Sequence, residues 1–182
     1  MLRNLFLRHI AQTSSSPLLI EIERAKGVYL YSPDGKAYID LVAGISVSNL
    51  GHGQPDIIAA IHEQAQSYMH VMVYGEYVES PQVRLAQLLT EQLPSILDNV
   101  YFVNSGAEAV EGALKLAKRA TGRSAIISFQ NSYHGSTHGA MSVTGSEIFR
   151  QAFRPTLPDI RHIRYNCLDD LAYINSRTAC VI

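Results

Sequence analysis

The sequence predicts an α/β fold in which a small N-terminal α+β segment precedes the first part of a mainly parallel sheet with flanking helices. Two observations carry that reading. From Asn99 onward, strand-like apolar runs alternate with helix-like runs, the order that lays parallel strands side by side beneath covering helices. Before that point, two short β-rich runs flank a Pro-Asp-Gly turn, the pattern of an antiparallel hairpin. The division falls at 75/76: an N-terminal arm and small-domain segment over 1–75, and the beginning of a larger domain over 76–182.

The elements follow in order. Residues 1–19 hold Arg3, Arg8, His9 and Ser14 to Ser16 with no acid before Glu21, a transit-peptide-like composition. Leu5 to Ile10 equally suits a short amphipathic docking arm. Gly27 to Tyr31 and Lys36 to Leu41 read as the hairpin strands around Ser32-Pro-Asp-Gly35. Glycines punctuate Gly44 to Gly53, after which Pro55 takes a first helical position and Ile57, Ile58, Ile61 and Ala65 recur at helical spacing. Ser80-Pro81 opens a second helix carrying Val83, Leu85, Leu88 and Leu89, and this helix stops before Pro94. Val100 to Val103 reads as a buried strand, Ala107 to Ala120 as a helix closed by Gly122, and Ala125 to Phe129 as the next strand. Arg161 to Tyr165 supplies a further strand, Leu168 to Ile174 a helix, and Thr178 to Ile182 the start of another strand. A chain end inside an apolar strand-like run, without a cap or polar tail, leads us to expect the front portion of a longer protein.

Composition narrows the function. The 182 residues can bury a real core without disulfide staples. Lys plus Arg total 15 and Asp plus Glu total 16, for a formal net charge of -1, so no basic footprint favours nucleic acid or an anionic membrane. No run approaches the roughly 18 to 20 apolar residues of a membrane span, and a soluble protein is expected. The charged fraction of 17% lies below the roughly 25% of ordinary soluble domains, which suggests surface hidden against something else. Cys167 and Cys180 lie too far apart for a C-x-x-C site and read as small core residues in a reducing compartment.

Two constellations carry chemistry. In Asn104-Ser-Gly-Ala-Glu108, Ser105 is a natural N-cap with Glu108 three residues on, and Val110, Ala113, Leu114 and Ala117 then share one helix face. The segment is either a well-capped helix and nothing more, or a phosphate cup in which Gly106 and Ala107 admit an anion to the free N–H groups and the positive end of the dipole. It is neither a Walker loop nor a dinucleotide fingerprint, since Gly-Lys-Ser/Thr and G-x-G-x-x-G are both absent. The second constellation, Asn131-Ser-Tyr-His-Gly-Ser-Thr137, follows the Ala125 to Phe129 strand on the same sheet edge as Ser105. Tyr133 there either stacks with His134 on a flat ring or packs over a loop. His134 and His138 share an i, i+4 relation, but no third ligand is evident, and no metal is assigned.

The run Asn104-Ser-Gly-Ala-Glu-Ala-Val-Glu-Gly-Ala-Leu-Lys-Leu-Ala117, followed by Ser132-Tyr-His-Gly-Ser-Thr137, resembles the class III aminotransferases, pyridoxal-phosphate enzymes of fold type I that include the ornithine, acetylornithine and 4-aminobutyrate group. Upstream, Gly27-Val-Tyr-Leu, Asp34-Gly-Lys-Ala-Tyr-Ile-Asp40, Ala43-Gly-Ile-Ser-Val47 and Leu50-Gly-His-Gly-Gln-Pro55 agree in order, so the resemblance covers nearly the whole chain. It implies that residues 76–182 begin the large pyridoxal-phosphate-binding domain. Ser105, Gly106 and Ala107 match positions that hold the phosphate of pyridoxal 5'-phosphate, and Tyr133, accompanied by His134, matches the aromatic that stacks on its pyridine ring. Ile45 and Val47 match the part of the small domain that closes over substrate. The family commonly works as homodimers with the site at the interface, which also fits the low charge.

Two departures accompany the resemblance. Where the ornithine, acetylornithine and 4-aminobutyrate branches usually carry a carboxylate-clamping arginine after Tyr-His-Gly, this chain has Ser136. The diaminopelargonate branch typically has tryptophans in its substrate segment, and this chain has no Trp. More consequentially, the only lysines are Lys26, Lys36, Lys115 and Lys118, and Lys115 lies ten residues along the helix from Ser105, or about 15 Å at 1.5 Å per residue. No catalytic residue is therefore assigned: the Schiff-base lysine and the aspartate that keeps the pyridine nitrogen protonated are expected beyond Ile182. The resemblance implies an enzyme that moves an amino group, a terminal ω-amino group, to a 2-oxo acid such as 2-oxoglutarate, with the chain inactive by itself. The alternatives are an aminomutase on the same fold and a non-catalytic module that binds a phosphate ligand or a partner. The expected location is the cytoplasm, or the mitochondrial matrix if the N-terminus is a transit peptide.

Overall fold

Short apolar runs and frequent glycines give the first part of the chain small elements. A computed structural model describes residues 2–72 and 75–182, which divide into two units, Met1–Glu79 and Ser80–Ile182. In the first unit, helix α1 (Leu2–His9) ends on Arg8 and His9, basic side chains that suit the carbonyl end of a helix. Strands β1 (Arg24–Lys26), β2 (Tyr29–Tyr31) and β3 (Ala37–Ile39) form an antiparallel sheet in that order. The predicted hairpin is its β2–β3 half, closed by a Gly35 N–H bond to the Ser32 carbonyl at 2.9 Å. Strand β1 has no periodicity to reveal it. Its place is marked by Arg24, whose guanidinium centre lies 3.6 Å from the centroid of the Tyr31 ring opposite.

After β3 the backbone enters the short turn α2 (Ala43–Ser46), which is left-handed: φ is 47° at Ala43, 62° at Gly44, 63° at Ile45 and 62° at Ser46. Left-handed helical backbone costs about 1–2 kcal/mol per residue for L-amino acids, and Ile45 is β-branched as well. Asp40 holds the entry, its Oδ1 accepting the Ala43 N–H at 2.9 Å and its Oδ2 lying 2.7 Å from His52 Nε2. His52 is itself tied by its backbone, exchanging N–H bonds with Gly27 at 2.7 and 2.8 Å. That approach requires Gly51: a Cβ there would fall 2.9 Å from the Gly27 carbonyl oxygen, and φ is +77°. Helix α3 (Pro55–Ser67) begins with Pro55, and the Gln54 side chain caps it by accepting the Ile57 N–H at 2.8 Å.

The second unit opens with helix α4 (Ser80–Thr90). Val100 to Val103, expected as a buried strand, is not one. A strand needs a ladder partner, none pairs with it among the described residues, and Tyr101 is left 81% exposed. Helix α5 (Gly106–Thr121) then runs from the Ser105 cap to Gly122, which takes φ +67° and donates its N–H to the Lys118 carbonyl. Of its expected apolar face, Leu114 is buried and Val110 and Ala117 are half-buried, whereas Ala113 is exposed. The sheet is parallel, with β4 (Ala125–Phe129) central between β5 (Ile160–Ile163) and β6 (Thr178–Val181). Strand β5 ends two residues before the predicted Tyr165 because the Arg164 N–H leaves the ladder for the Asp170 carboxylate at 2.7 Å. Leu168–Tyr173 is 3-10 helix rather than the expected continuous helix. Leu114, Ile126 and Val143 form the core, with Val110, Ile160, Cys180 and Ile182 packed around them. Val143 closes α6 (His138–Val143), a helix whose last five residues are all buried.

Candidate functional site

At the start of α5, Ser105 Oγ accepts the Glu108 N–H at 3.2 Å. The Glu108 carboxylate reaches one residue beyond the reciprocal capping position and accepts the Asn104 N–H at 2.7 Å. The N–H groups of Gly106 and Ala107 have no carbonyl one turn back within the helix, and they sit at the positive end of a 16-residue dipole. A Cβ built on Gly106 would meet nothing within 4 Å, so open space lies against these donors.

The loop after β4 comes to this turn. Gly135 has φ +129°, and a Cβ there would fall 2.7 Å from Ala107 Cβ and 2.9 Å from its Cα. Only glycine permits that approach, which brings Tyr133 and His134 beside the Ser105–Ala107 turn. The sheet edge does not do it, since the segment leading into Ser105 is unpaired.

His134 is held from both ends. Its N–H donates to Thr144 Oγ1 at 3.0 Å, and its Nε2 lies 3.4 Å from Ser128 Oγ. Ser128 donates its own hydroxyl hydrogen to the Val143 carbonyl at 2.5 Å, which leaves Ser128 Oγ to accept from an Nε2–H tautomer of His134. Burial holds the His134 pKa below the ordinary imidazole value, so the ring is neutral at pH 7. Tyr133 touches Phe149 edge-on, with centroids 5.3 Å apart, yet remains 61% exposed. Ser136, in the position after Tyr-His-Gly, is exposed.

Glu111 lies within the Asn104 to Ala117 run, but the sequence assigns it no role. Its Oε1 accepts three hydrogen bonds, from Thr137 Oγ1 at 2.7 Å, Gly139 N–H at 2.8 Å and Ala140 N–H at 3.1 Å. Burial pushes its pKa up, but the bonds from Thr137, Ala140 and Gly139, with the charge of nearby His138, outweigh this and hold it below the usual carboxylate value. The available signal was a carboxylate on the half-apolar side of α5, one residue from Val110.

Ile45 and Val47 lie in the other unit, on and just after the left-handed turn, and are 85% and 72% exposed. Among the described residues no three His, Cys, Asp or Glu side chains gather as a metal site, and no helix is long and apolar enough to cross a membrane.

The class III aminotransferase family model matches residues 10–182. The chain is 41% identical over 176 residues to the acetylornithine aminotransferase of Archaeoglobus fulgidus, covering 96% of this chain and 46% of that protein. It is 42% identical to the enzyme of the same name from Halalkalibacterium halodurans, over 90% of this chain and 42% of that one. Among solved structures, the adenosylmethionine-8-amino-7-oxononanoate aminotransferase of Methanocaldococcus jannaschii superposes with a TM-score of 0.90 at 32% identity, covering 99% of this chain and 45% of its own. The taurine:2-oxoglutarate aminotransferase of Bifidobacterium kashiwanohense, solved with pyridoxal phosphate and glutamate, gives a TM-score of 0.82 at 29% identity, covering 99% of this chain and 46% of its own. The chain thus spans less than half the length of these relatives, and its α/β fold is that of the fold type I aminotransferases. With the family model matching nearly end to end, the chain belongs to the class III aminotransferases.

Proposed function

We propose that this chain supplies the phosphate cup and ring-stacking loop of a pyridoxal-phosphate-dependent aminotransferase, which moves a terminal ω-amino group to a 2-oxo acid such as 2-oxoglutarate. The observation that carries the reading is the approach of Gly135 to Ala107, which places an aromatic loop beside a helix start whose donors face open space. The fit is chemical as well as spatial: an anion suits the unpaired N–H groups of Gly106 and Ala107, and a flat ring suits the exposed face of Tyr133.

In this reading Ser105, Gly106 and Ala107 hold the phosphate, Tyr133 covers the pyridine ring, and neutral His134 braces the loop through Ser128 and Thr144. When bound, pyridoxal phosphate supplies the aldehyde that takes up an amino group and the ring that accepts electrons. Lys115 and Lys118 lie ten and thirteen residues along α5 from Ser105, about 15 Å or more away, so neither is assigned a part in the chemistry. Ile45 and Val47 form the substrate side, 1–75 belongs to the small domain, and 76–182 begins the cofactor domain. The amino donor and 2-oxo acid are the partners, and the assembled enzyme is a homodimer of the cytoplasm or the mitochondrial matrix. The acetylornithine and taurine aminotransferases among its relatives support the choice of a terminal amino group.

Gly106→Val tests the cup. A Cβ at this position meets no protein atom, so the fold should tolerate the branched side chain while the phosphate loses its place. In the complete polypeptide carrying this chain, thermal stability should change little and the Kd for pyridoxal phosphate, by equilibrium dialysis, should rise by at least about tenfold. Equal affinity in variant and parent removes the assignment.

A further inference from the structure

Glu111 stands where two parts of the candidate site meet. It lies on α5, six residues beyond Ser105, and its Oε1 gathers the Thr137 hydroxyl and the N–H groups of Gly139 and Ala140. Thr137 ends the loop that holds Tyr133 and His134, and Gly139 and Ala140 begin the buried stretch of α6. Gly139 has no room for a side chain, because a Cβ there would fall 2.8 Å from the Glu111 carboxyl carbon. The carboxylate is therefore seated against backbone on a glycine that admits it.

We propose that Glu111 is a positioning residue for cofactor binding: by tying Thr137, Gly139 and Ala140 to α5, it fixes the loop carrying Tyr133 and His134 at the phosphate-binding turn. The inference rests on the functional reading above. It adds a residue whose carboxylate bonds neither the phosphate cup nor the ring stacker. The loop has two attachments to α5, the Gly135–Ala107 contact at its middle and the Glu111 bonds at its end. The first sets how closely the loop can approach. The second supplies the attraction, since Gly135 and Ala107 meet only through small apolar atoms. Without the carboxylate, two N–H groups and a hydroxyl lose their acceptor at once, and the loop end is free to part from α5.

The test uses the complete polypeptide, with Kd for pyridoxal phosphate measured by equilibrium dialysis and stability measured on the cofactor-free protein. Glu111→Ala should raise Kd by about tenfold or more, because three donors lose a shared acceptor. Glu111→Gln keeps an oxygen at that position and should restore most of the affinity. Thr137→Val removes one bond of the three, disturbs folding least, and should give an intermediate Kd. Leu114→Ala, a core truncation on the same helix, should lower stability at least as much as Glu111→Ala while leaving Kd close to the parent's. If Glu111→Ala and Thr137→Val bind the cofactor as tightly as the parent, or if Kd merely follows stability across all four variants, Glu111 is structural only and the proposal falls. A parent that does not bind pyridoxal phosphate sinks the functional reading and this inference with it, whereas a binding parent with indifferent variants sinks this inference alone.

Discussion

Residues Ser80–Ile182 enclose Leu114, Ile126 and Val143 in a shared apolar core, whereas Met1–Glu79 bury no apolar side chain among their described residues. In the second unit, β4 sits between two parallel neighbours and α5 packs on the result. The first unit is held by backbone pairing, by the Arg24–Tyr31 contact, and by Asp40, which grips a left-handed turn on one side and His52 on the other. Apolar burial is non-directional and fixes a scaffold through many small contacts, so the scaffold itself is insensitive to the loss of any single polar group. A strained turn held by one carboxylate is the reverse. The helix and strand that carry the candidate cofactor site thus have the rigid kind of support, with its loop tied to them by Glu111, and the proposed substrate side rests on the kind that can be undone locally.

The largest expected effect separates the two kinds. Ile126 is fully buried at the centre of the sheet, and Ile126→Ala should destabilise the protein by about 2–5 kcal/mol through lost transfer energy and a residual cavity. Chemical denaturation measures it. A loss below about 0.5 kcal/mol, the range of ordinary surface substitutions, would mean that the core does not carry the second unit.

A smaller effect, of opposite sign, belongs to the turn. Ile45 is almost entirely exposed and sits at φ 63°, so Ile45→Gly gives up little burial and removes a backbone penalty of about 1–2 kcal/mol. Stability should rise by up to about 1 kcal/mol, the remainder going to glycine's greater freedom in the unfolded chain. If the variant is less stable than the parent, the side chain makes contacts that outweigh the strain. If it is more stable, strain is being retained at the proposed substrate side, where a functional demand gives it a reason to persist.

These two regions also differ in how far the sequence discloses them. Ser105, Glu108 and Gly122 mark both ends of α5 because capping is local chemistry, written within three or four residues. Strands β4, β5 and β6 show as apolar runs because a parallel sheet covered by helices demands them. The left-handed turn does not show, since Ala43, Ile45 and Ser46 have no preference for positive φ and are put there by Asp40 and by the chain on either side. Val100 to Val103 misleads for the opposite reason: its composition is that of a strand, but composition cannot provide a pairing partner. Glu111 escapes notice because its three donors lie 26 to 29 residues away along the chain. Gly135 was visible as part of a motif, but its contact with Ala107 became apparent only when the loop and the helix start were seen together.

The finest distinction between the two units is in their response to pH. The bond to His52, then the Ala43 N–H, hold the Asp40 carboxyl below its ordinary value against a smaller opposing effect of burial. A group whose pKa is depressed by folding contributes stability that is present above its unfolded value and is lost as pH falls through its folded value. The grip on the left-handed turn should therefore be complete at neutral pH and weaken only below the ordinary carboxylate range. Hydrogen-exchange protection reads this locally: the amides of Ala43, Val47 and Ser48, which bond to Asp40 or to the Ala43 carbonyl, should lose protection as Asp40 takes up its proton. The amides of β4 should keep theirs, since their partners are backbone carbonyls surrounded by the core. Asp40→Ala should show the low protection already at neutral pH, with no further step on acidification. Because His52 shares the Asp40 carboxylate, His52→Ala is the necessary companion: it removes one contact of Asp40 but leaves the Ala43 acceptor in place, and a step that survives in this variant belongs to Asp40. A step that vanishes in His52→Ala would show that Asp40 alone does not carry the response, and equal loss of protection in both units would show that acid acts on the whole molecule rather than on the turn.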